Sequence, residues 1–224
     1  MSNNGNNNKS DRLVWADCEM TGLDPEAETL IEIAVIVTDA DLNPLDEGID
    51  IIVHADDEHL DNMVPVVSTM HAESGLTDAV RASTVTLSEA DIAVTDYVKQ
   101  FVPDANTAPL CGNSIATDRL FIRKYLPRLE AHLHYRMIDV SSVKELTRRW
   151  YPRVYQNQPG KGMAHRALAD IRESIDEMTY YREAVFVPHP GPNSTQAAEI
   201  AAQVSARNWD ASSDEVSEKE ATSD

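Results

Sequence analysis

The sequence predicts an α/β protein built on one mixed sheet layered by helices. Three observations carry this. Apolar, β-branched runs recur at 12–19, 28–38 and 48–54, the pattern of buried strands. From residue 88 onward, runs with apolar residues at helical spacing alternate with short strand-like runs. The length of 224 residues, with 42% hydrophobic and 25% charged, suits one domain with polar ends rather than a disordered or membrane-embedded chain.

The elements follow in order. RLVWADCE (12–19), ETLIEIAVIVT (28–38) and GIDIIVH (48–54) are the first three strands. SEADIAVTDYVKQFV, from Ser88, opens on an N-cap residue and carries apolar residues at Ile92, Ala93, Val94, Val98 and Phe101. Pro103 stops it, so it reads as an amphipathic helix. APLCGN (108–113) returns to strand character. SIATDRLFIRKYL then places Ile115, Leu120, Phe121 and Leu126 at helical spacing. RMIDV (136–140) is a short strand, followed by helices over roughly 141–151 and 165–186. Residues 1–10 are Asn-rich and read as a disordered segment, 11–188 as the folded domain, and 189–224 as a disordered acidic tail in which AAEIAAQVSA has the makings of a transient helix.

Cys18 and Cys111 lie inside apolar strand-like runs, the usual place of reduced structural thiols. No apolar run approaches the roughly 18 residues of a spanning helix, and the N-terminus has neither a signal nor a transit pattern, so the expected address is the cytoplasm. The charge stands out: 19 basic against 38 acidic residues, a formal net of −19. Taken whole, it speaks against polyanionic partners and anionic membrane surfaces.

Asp17 and Glu19 lie two apart at the end of the first strand, so both carboxylates share one face and Cys18 takes the other. In a chain this acidic, about six acid-x-acid pairs arise by chance. This one differs in position, because apolar LVWA puts it at the mouth of a buried strand. Asp118 falls in the first turn of the helix after APLCGN, where a helix dipole alone would favour an acid. Asp170 follows His165 by five residues, about 500° of helix, so a shared site requires His165 on the entry to that helix. A histidine there is also an ordinary cap or surface residue. Four convergent carboxylates would repel by about 4 kcal/mol per pair at 4 Å and an effective dielectric of 20. Cations would relieve this, and all-oxygen ligands suit Mg²⁺ or Mn²⁺. Two such ions clamp the attacking and leaving oxygens of a phosphoryl displacement, and a nearby histidine suits the general base.

WADCEMTGLDP, HAESGL, CGNSIATDR, HYRMIDVSSVKELTRRW and AHRALADIRESIDEMTYYR resemble the oligoribonucleases, a family of the DEDDh branch of 3′→5′ exonucleases, in register from about Arg12 to Phe186. The resemblance implies an RNase H-like exonuclease fold with a mixed five-stranded sheet flanked by helices, and a homodimer. It implies hydrolysis of two- to five-nucleotide single-stranded RNA, dinucleotides above all, from the 3′ end to nucleoside 5′-monophosphates. Asp17, Glu19, Asp118 and Asp170 would hold two divalent cations, Mg²⁺ or Mn²⁺, and His165 would deprotonate the attacking water. Met20 and Leu23 would form an apolar wedge against the terminal bases, and His71 would stack on a base. Ser114, with Arg136 and Ser141 of a partner subunit, would surround the 5′ phosphate. Such a closed end rewards a dinucleotide and excludes a long chain.

Plain alternatives stand beside these roles: Met20 and Leu23 as core, Ser114 as an N-cap, Arg136 in a surface ion pair. Trimming of longer RNA or DNA ends, or an inactive RNA-binding module of the same fold, are the competing functions. NMVPVVSTMHAESGL departs from relatives that carry an aromatic before the HxxSGL segment. Resolved by region, the net charge divides: residues 11–118 carry −20 and residues 119–188 carry +5. Arg136, Lys144, Arg148 and Arg149 lie in the basic stretch, where the resemblance places phosphate contacts.

Overall fold

The computed structural model describes residues 11–160, 162 and 166–206. Five strands, β1 (Leu13–Met20), β2 (Leu30–Thr38), β3 (Ile49–Ile52), β4 (Pro109–Gly112) and β5 (His134–Asp139), form one sheet in the order β3-β2-β1-β4-β5. β1 pairs antiparallel with β2, and β2 with β3, whereas β4 runs parallel to both β1 and β5. The expected mixed five-stranded sheet is the sheet observed.

Alternation along β1 sorts the core into two layers. Val14, Ala16 and Cys18 face a cluster that includes Val94, Phe121, Ile122 and Leu129, from α4 (Leu87–Phe101), α5 (Ala116–Tyr125) and α6 (Pro127–His132). Trp15 faces the opposite layer, with Val140 of α7 (Val140–Trp150) and Ile171, Ile175 and Tyr181 of α9 (Ala167–Ala184). Every residue of β2 is buried, because helices cover both of its faces. The Trp15 indole N–H donates to Thr38 Oγ1 at 3.0 Å, so the largest core side chain buries its polar atom satisfied.

Helix ends obey local rules. Thr86 and Glu89 form a reciprocal capping box at the start of α4. Asp139 caps α7 by accepting the Ser141 N–H. Pro127 and Pro152 occupy the first turns of α6 and α8 (Pro152–Gln156). The buried Asp91 of α4 accepts the N–H groups of Arg128 and Leu129, tying α6 to α4.

Three short helices were not expected: α1 (Asp57–Asp61), α2 (Pro65–Glu73) and α3 (Leu76–Ala82). At five to nine residues they are too short to display helical periodicity. A third cluster of Ile31, Ala55, Leu60, Met63, Leu76 and Val80 anchors them to β2. The chain from Phe186 onward is a separate compact unit. Within it, α10 (Ser194–Ser205) is a formed helix where the sequence reading put a largely disordered tail. Asn193 accepts the Gln196 N–H while Gln196 accepts that of Asn193, a cap that composition does not reveal. No helix among the described residues is long and apolar enough to cross a membrane.

Candidate active site

The end of β1 delivers Asp17 and Glu19 to the layer that α9 covers, on the face opposite Cys18, as strand alternation requires. α9 begins at Ala167, which puts Asp170 in its first turn and aims it at the same place. One carboxylate oxygen from each of Asp17, Glu19 and Asp170 lies within 4.8 Å of the other two. Asp118, in the first turn of α5, accepts the Cys18 N–H at 3.0 Å and so stands between the two β1 acids along the strand. Gly112 permits this approach: a Cβ there would meet the Ala16 carbonyl oxygen at 2.9 Å. His165 lies outside the described residues.

The electrostatics are those of a site awaiting positive charge. Burial first, then the neighbouring Asp118, Glu19, Asp170 and Glu32, push the Asp17 carboxyl up to about 9. Burial and the nearby acids, Glu32 foremost, push Glu19 up to about 8 against the pull of Arg166. Asp118 rises to about 7 by burial, with the Cys18 N–H drawing it the other way. All-oxygen donors this close, with Asp17, Glu19 and Asp118 reluctant to ionise, fit a divalent cation.

Sequence reasoning missed a fifth acid. Glu32 sits opposite Glu19 on β2 and is fully buried. Arg166 Nε and Nη2 each approach Glu32 Oε1 at 2.9 Å, so the residue just before α9 is tied to the sheet. The signal was present: LIEIAVIVT holds one carboxylate in an otherwise apolar or neutral strand.

The substrate-facing residues divide. Met20, the last residue of β1, is half-buried against the α4–α5 core, while Leu23 is 75% exposed. Leu23 rides on a pinned loop: Thr21 N–H donates to the Thr29 carbonyl and Thr29 N–H to Thr21 Oγ1, both at 3.0 Å. Thr21 and Glu28 side chains also bond, and Tyr125 donates to the Glu28 carbonyl. His71 departs from its expected part as a stacking platform. It is 0% exposed, its Nε2–H donating to the Met20 carbonyl at 2.9 Å, with Nδ1 3.9 Å from Glu19. In this position it suits holding the β1 terminus and the Glu19 carboxylate.

Ser114 and Ser141 come together within one chain, whereas the resemblance gave Ser141 to a partner. Ser114 N–H donates to Ser141 Oγ at 3.0 Å, and the two hydroxyls are 3.2 Å apart. Asp139 accepts both the Ser114 and Ser141 N–H groups, and Asn113 Oδ1 accepts the Ser141 hydroxyl at 3.0 Å. Ser114 adopts a left-handed φ of 51° to make the turn. Arg136 stands apart on the exposed edge strand β5, stacked on Tyr135 with its guanidinium 5.5 Å from the ring centre. Of the other basic residues in this stretch, Lys144 is engaged by buried Glu177 at 2.9 Å, and Arg148 and Arg149 by Glu145.

Comparison with known proteins agrees with this geometry. The Exonuclease family model RNase_T matches residues 14–178. The oligoribonuclease of Nocardia farcinica is 61% identical over 196 residues, covering 87% of this chain and 91% of that protein. That of Rhodococcus jostii is 62% identical over 190 residues, covering 85% and 96%. Among solved structures, an exonuclease I shares the fold with a TM-score of 0.62 at 15% identity, over 77% of this chain and 41% of the longer exonuclease. With a family match across all five strands and identities near these values over most of its length, the chain belongs to the oligoribonuclease family of exonucleases.

Proposed function

We propose that this protein is a 3′→5′ exoribonuclease that hydrolyses RNA of two to five nucleotides, dinucleotides above all, to nucleoside 5′-monophosphates in the cytoplasm. The observation that carries this is the carboxylate cluster of Asp17, Glu19 and Asp170, with Asp118 beside it, in a chain of this family. Those four residues would hold two divalent cations, Mg²⁺ or Mn²⁺. Bound there, the cations would supply Lewis acidity to the scissile phosphate and acidity to the attacking water.

The chain's own residues supply the rest. His165 takes the proton of the attacking water. Leu23, exposed on its pinned loop, and Met20 at the strand end wedge against the terminal bases. At the other end of a dinucleotide, the Ser114 and Ser141 hydroxyls receive the 5′ phosphate. Arg136 is supplied by the second subunit of a homodimer. Exposed apolar residues on β5 and in the α7–α8 segment support that dimer: Tyr135 is 72%, Met137 41% and Trp150 65% exposed, with Leu146 and Tyr151 also open to solvent.

The substrate-length profile tests this reading. With Mg²⁺, the rate should fall steeply from two nucleotides to twenty. A flat profile would sink the dinucleotide assignment in favour of trimming longer ends. RNA binding without product at any length would point to an inactive module.

A further inference from the structure

β5 does not run evenly along β4. Pro109 pairs with His134, yet the next β4 residue, Leu110, pairs with Met137. Tyr135 and Arg136 are therefore extra residues on β5 that no β4 residue faces, a bulge at the sheet edge. Tyr135, Arg136 and Met137 are all exposed in succession, so the bulge breaks the alternation of the strand and projects Tyr135 and Arg136 outward. Backbone carbonyls that leave a ladder need another donor.

That donor is Arg119. Its guanidinium, on α5, is buried, with the residue 7% exposed. Nη2 donates to the His134 carbonyl at 3.0 Å and Nη1 to the Tyr135 carbonyl at 2.9 Å, with the Arg136 carbonyl at 3.5 Å. Glu130 of α6 fixes the guanidinium from the other side, accepting Nε at 3.1 Å and Nη2 at 3.2 Å. Only a planar fork of five donors serves consecutive carbonyls and a carboxylate at once; a lysine ammonium is a point charge on a flexible stem. Arg119 also adjoins Asp118, so one turn of α5 carries both a carboxylate of the candidate metal centre and the clasp of the bulge.

We propose that Arg119 is a positioning residue: it holds the β5 bulge in the shape that presents Arg136 to the 5′ phosphate in the second subunit's site. This rests on the dinucleotide reading above. Arg119 itself touches no substrate. It fixes the backbone from which Arg136 projects, and Glu130 fixes Arg119.

Two readouts test it on the full-length protein with Arg119→Gln and the milder Arg119→Lys. Hydrogen–deuterium exchange at residues 134–138 should accelerate about tenfold or more in both variants, with β1 and β2 unaffected. On a 5′-phosphorylated dinucleotide, KM should rise about tenfold while kcat changes less than about threefold, the signature of lost binding rather than lost chemistry. Combining Arg119→Gln with Arg136→Ala should cost little more than Arg136→Ala alone, because the two act on one contact. Normal exchange at 134–138 in both variants overturns the proposal. So does a fall in kcat at constant KM, which would trace the effect to Asp118, or a double variant whose loss equals the product of the single losses. If the wild-type protein releases no mononucleotide from the dinucleotide, the functional reading fails, and exchange alone decides whether Arg119 holds the bulge.

Discussion

Residues 11–118 and 119–188 carry opposite net charge, −20 and +5, and the fold uses the two in different ways. Among the described residues, five cations of the second region are ion-paired within it. Arg119 and Arg123 hold Glu130, Lys144 holds Glu177, and Arg148 and Arg149 hold Glu145. Three more reach back into the acidic region: Arg166 to Glu32, Arg172 to Glu47 and Arg182 to Asp41. Among the described residues, the acids at the end of β1 have no arginine or lysine in ion-pair contact; Arg166 draws on Glu19 only from farther off, and both carboxyls are pushed toward the neutral form. The cations of the second region thus help secure the fold, while the carboxylates at the end of β1, joined by Asp170 of α9, keep an electrostatic deficit that a cation can fill.

Removing a carboxylate from that deficit should produce the largest effect and the clearest separation of function from stability. Asp17→Asn or Asp170→Asn should lower Mg²⁺-dependent hydrolysis of a dinucleotide at least about 100-fold. In the presence of a chelator, the thermal midpoint of Asp17→Asn should equal or exceed that of the wild type, because a neutral isostere is spared the cost of taking up a proton on folding, which burial and the neighbouring acids impose on the carboxyl. Activity near wild-type in either variant would remove the acids from the mechanism. A collapsed midpoint in Asp17→Asn would mean that the acidic half also secures the fold.

How much of this was visible in the sequence follows from the same contrast. β1, β2, α4 and α9 are long, so their apolar runs and helical patterns were legible, and strand alternation alone put Asp17 and Glu19 on one face. The bonds that make the site specific were not. Glu32 and Arg166 are 134 residues apart, and nothing local to either reveals the other. The Ser114–Ser141 pair depends on a left-handed turn and on Asp139 accepting two N–H groups, which are tertiary facts. The stacking role of His71 came from the resemblance, and nothing in HAESGL itself shows that the ring is buried. The β5 bulge was invisible because a run such as HYRMID carries no mark of where its neighbour slips.

The pH dependence of stability gives a more moderate effect. Unfolded carboxyls titrate near 4, whereas Asp17, Glu19 and Asp118 in the folded, metal-free protein titrate at about 9, 8 and 7. Between those limits the unfolded chain is ionised while the folded chain still holds protons. The sign is therefore destabilising: metal-free stability should fall as pH rises from about 4 toward 9. Mg²⁺ must displace those protons, so the rise in thermal midpoint on adding it should be larger at pH 8 than at pH 6. A midpoint in chelator that climbs across this range would break the contrast, for the acids would then be compensated by groups already in the fold.

The smallest effect concerns what the net charge does to long substrates. With most cations of residues 119–188 already paired, an RNA extending beyond the site meets a surface dominated by the acids of residues 11–118. A dinucleotide has too few phosphates to feel much of that field. Salt screens exposed charges beyond about 8 Å at physiological ionic strength. Raising salt from roughly 50 to 200 mM should thus increase the rate on a ten-nucleotide RNA, relative to a dinucleotide, by about two- to threefold. The same change weakens any protein that grips long nucleic acid through phosphates, by releasing counterions. A relative rate that drops with salt would mean that the basic residues, although paired within the chain, still engage the backbone of long RNA, and that length is limited by the closed phosphate end alone.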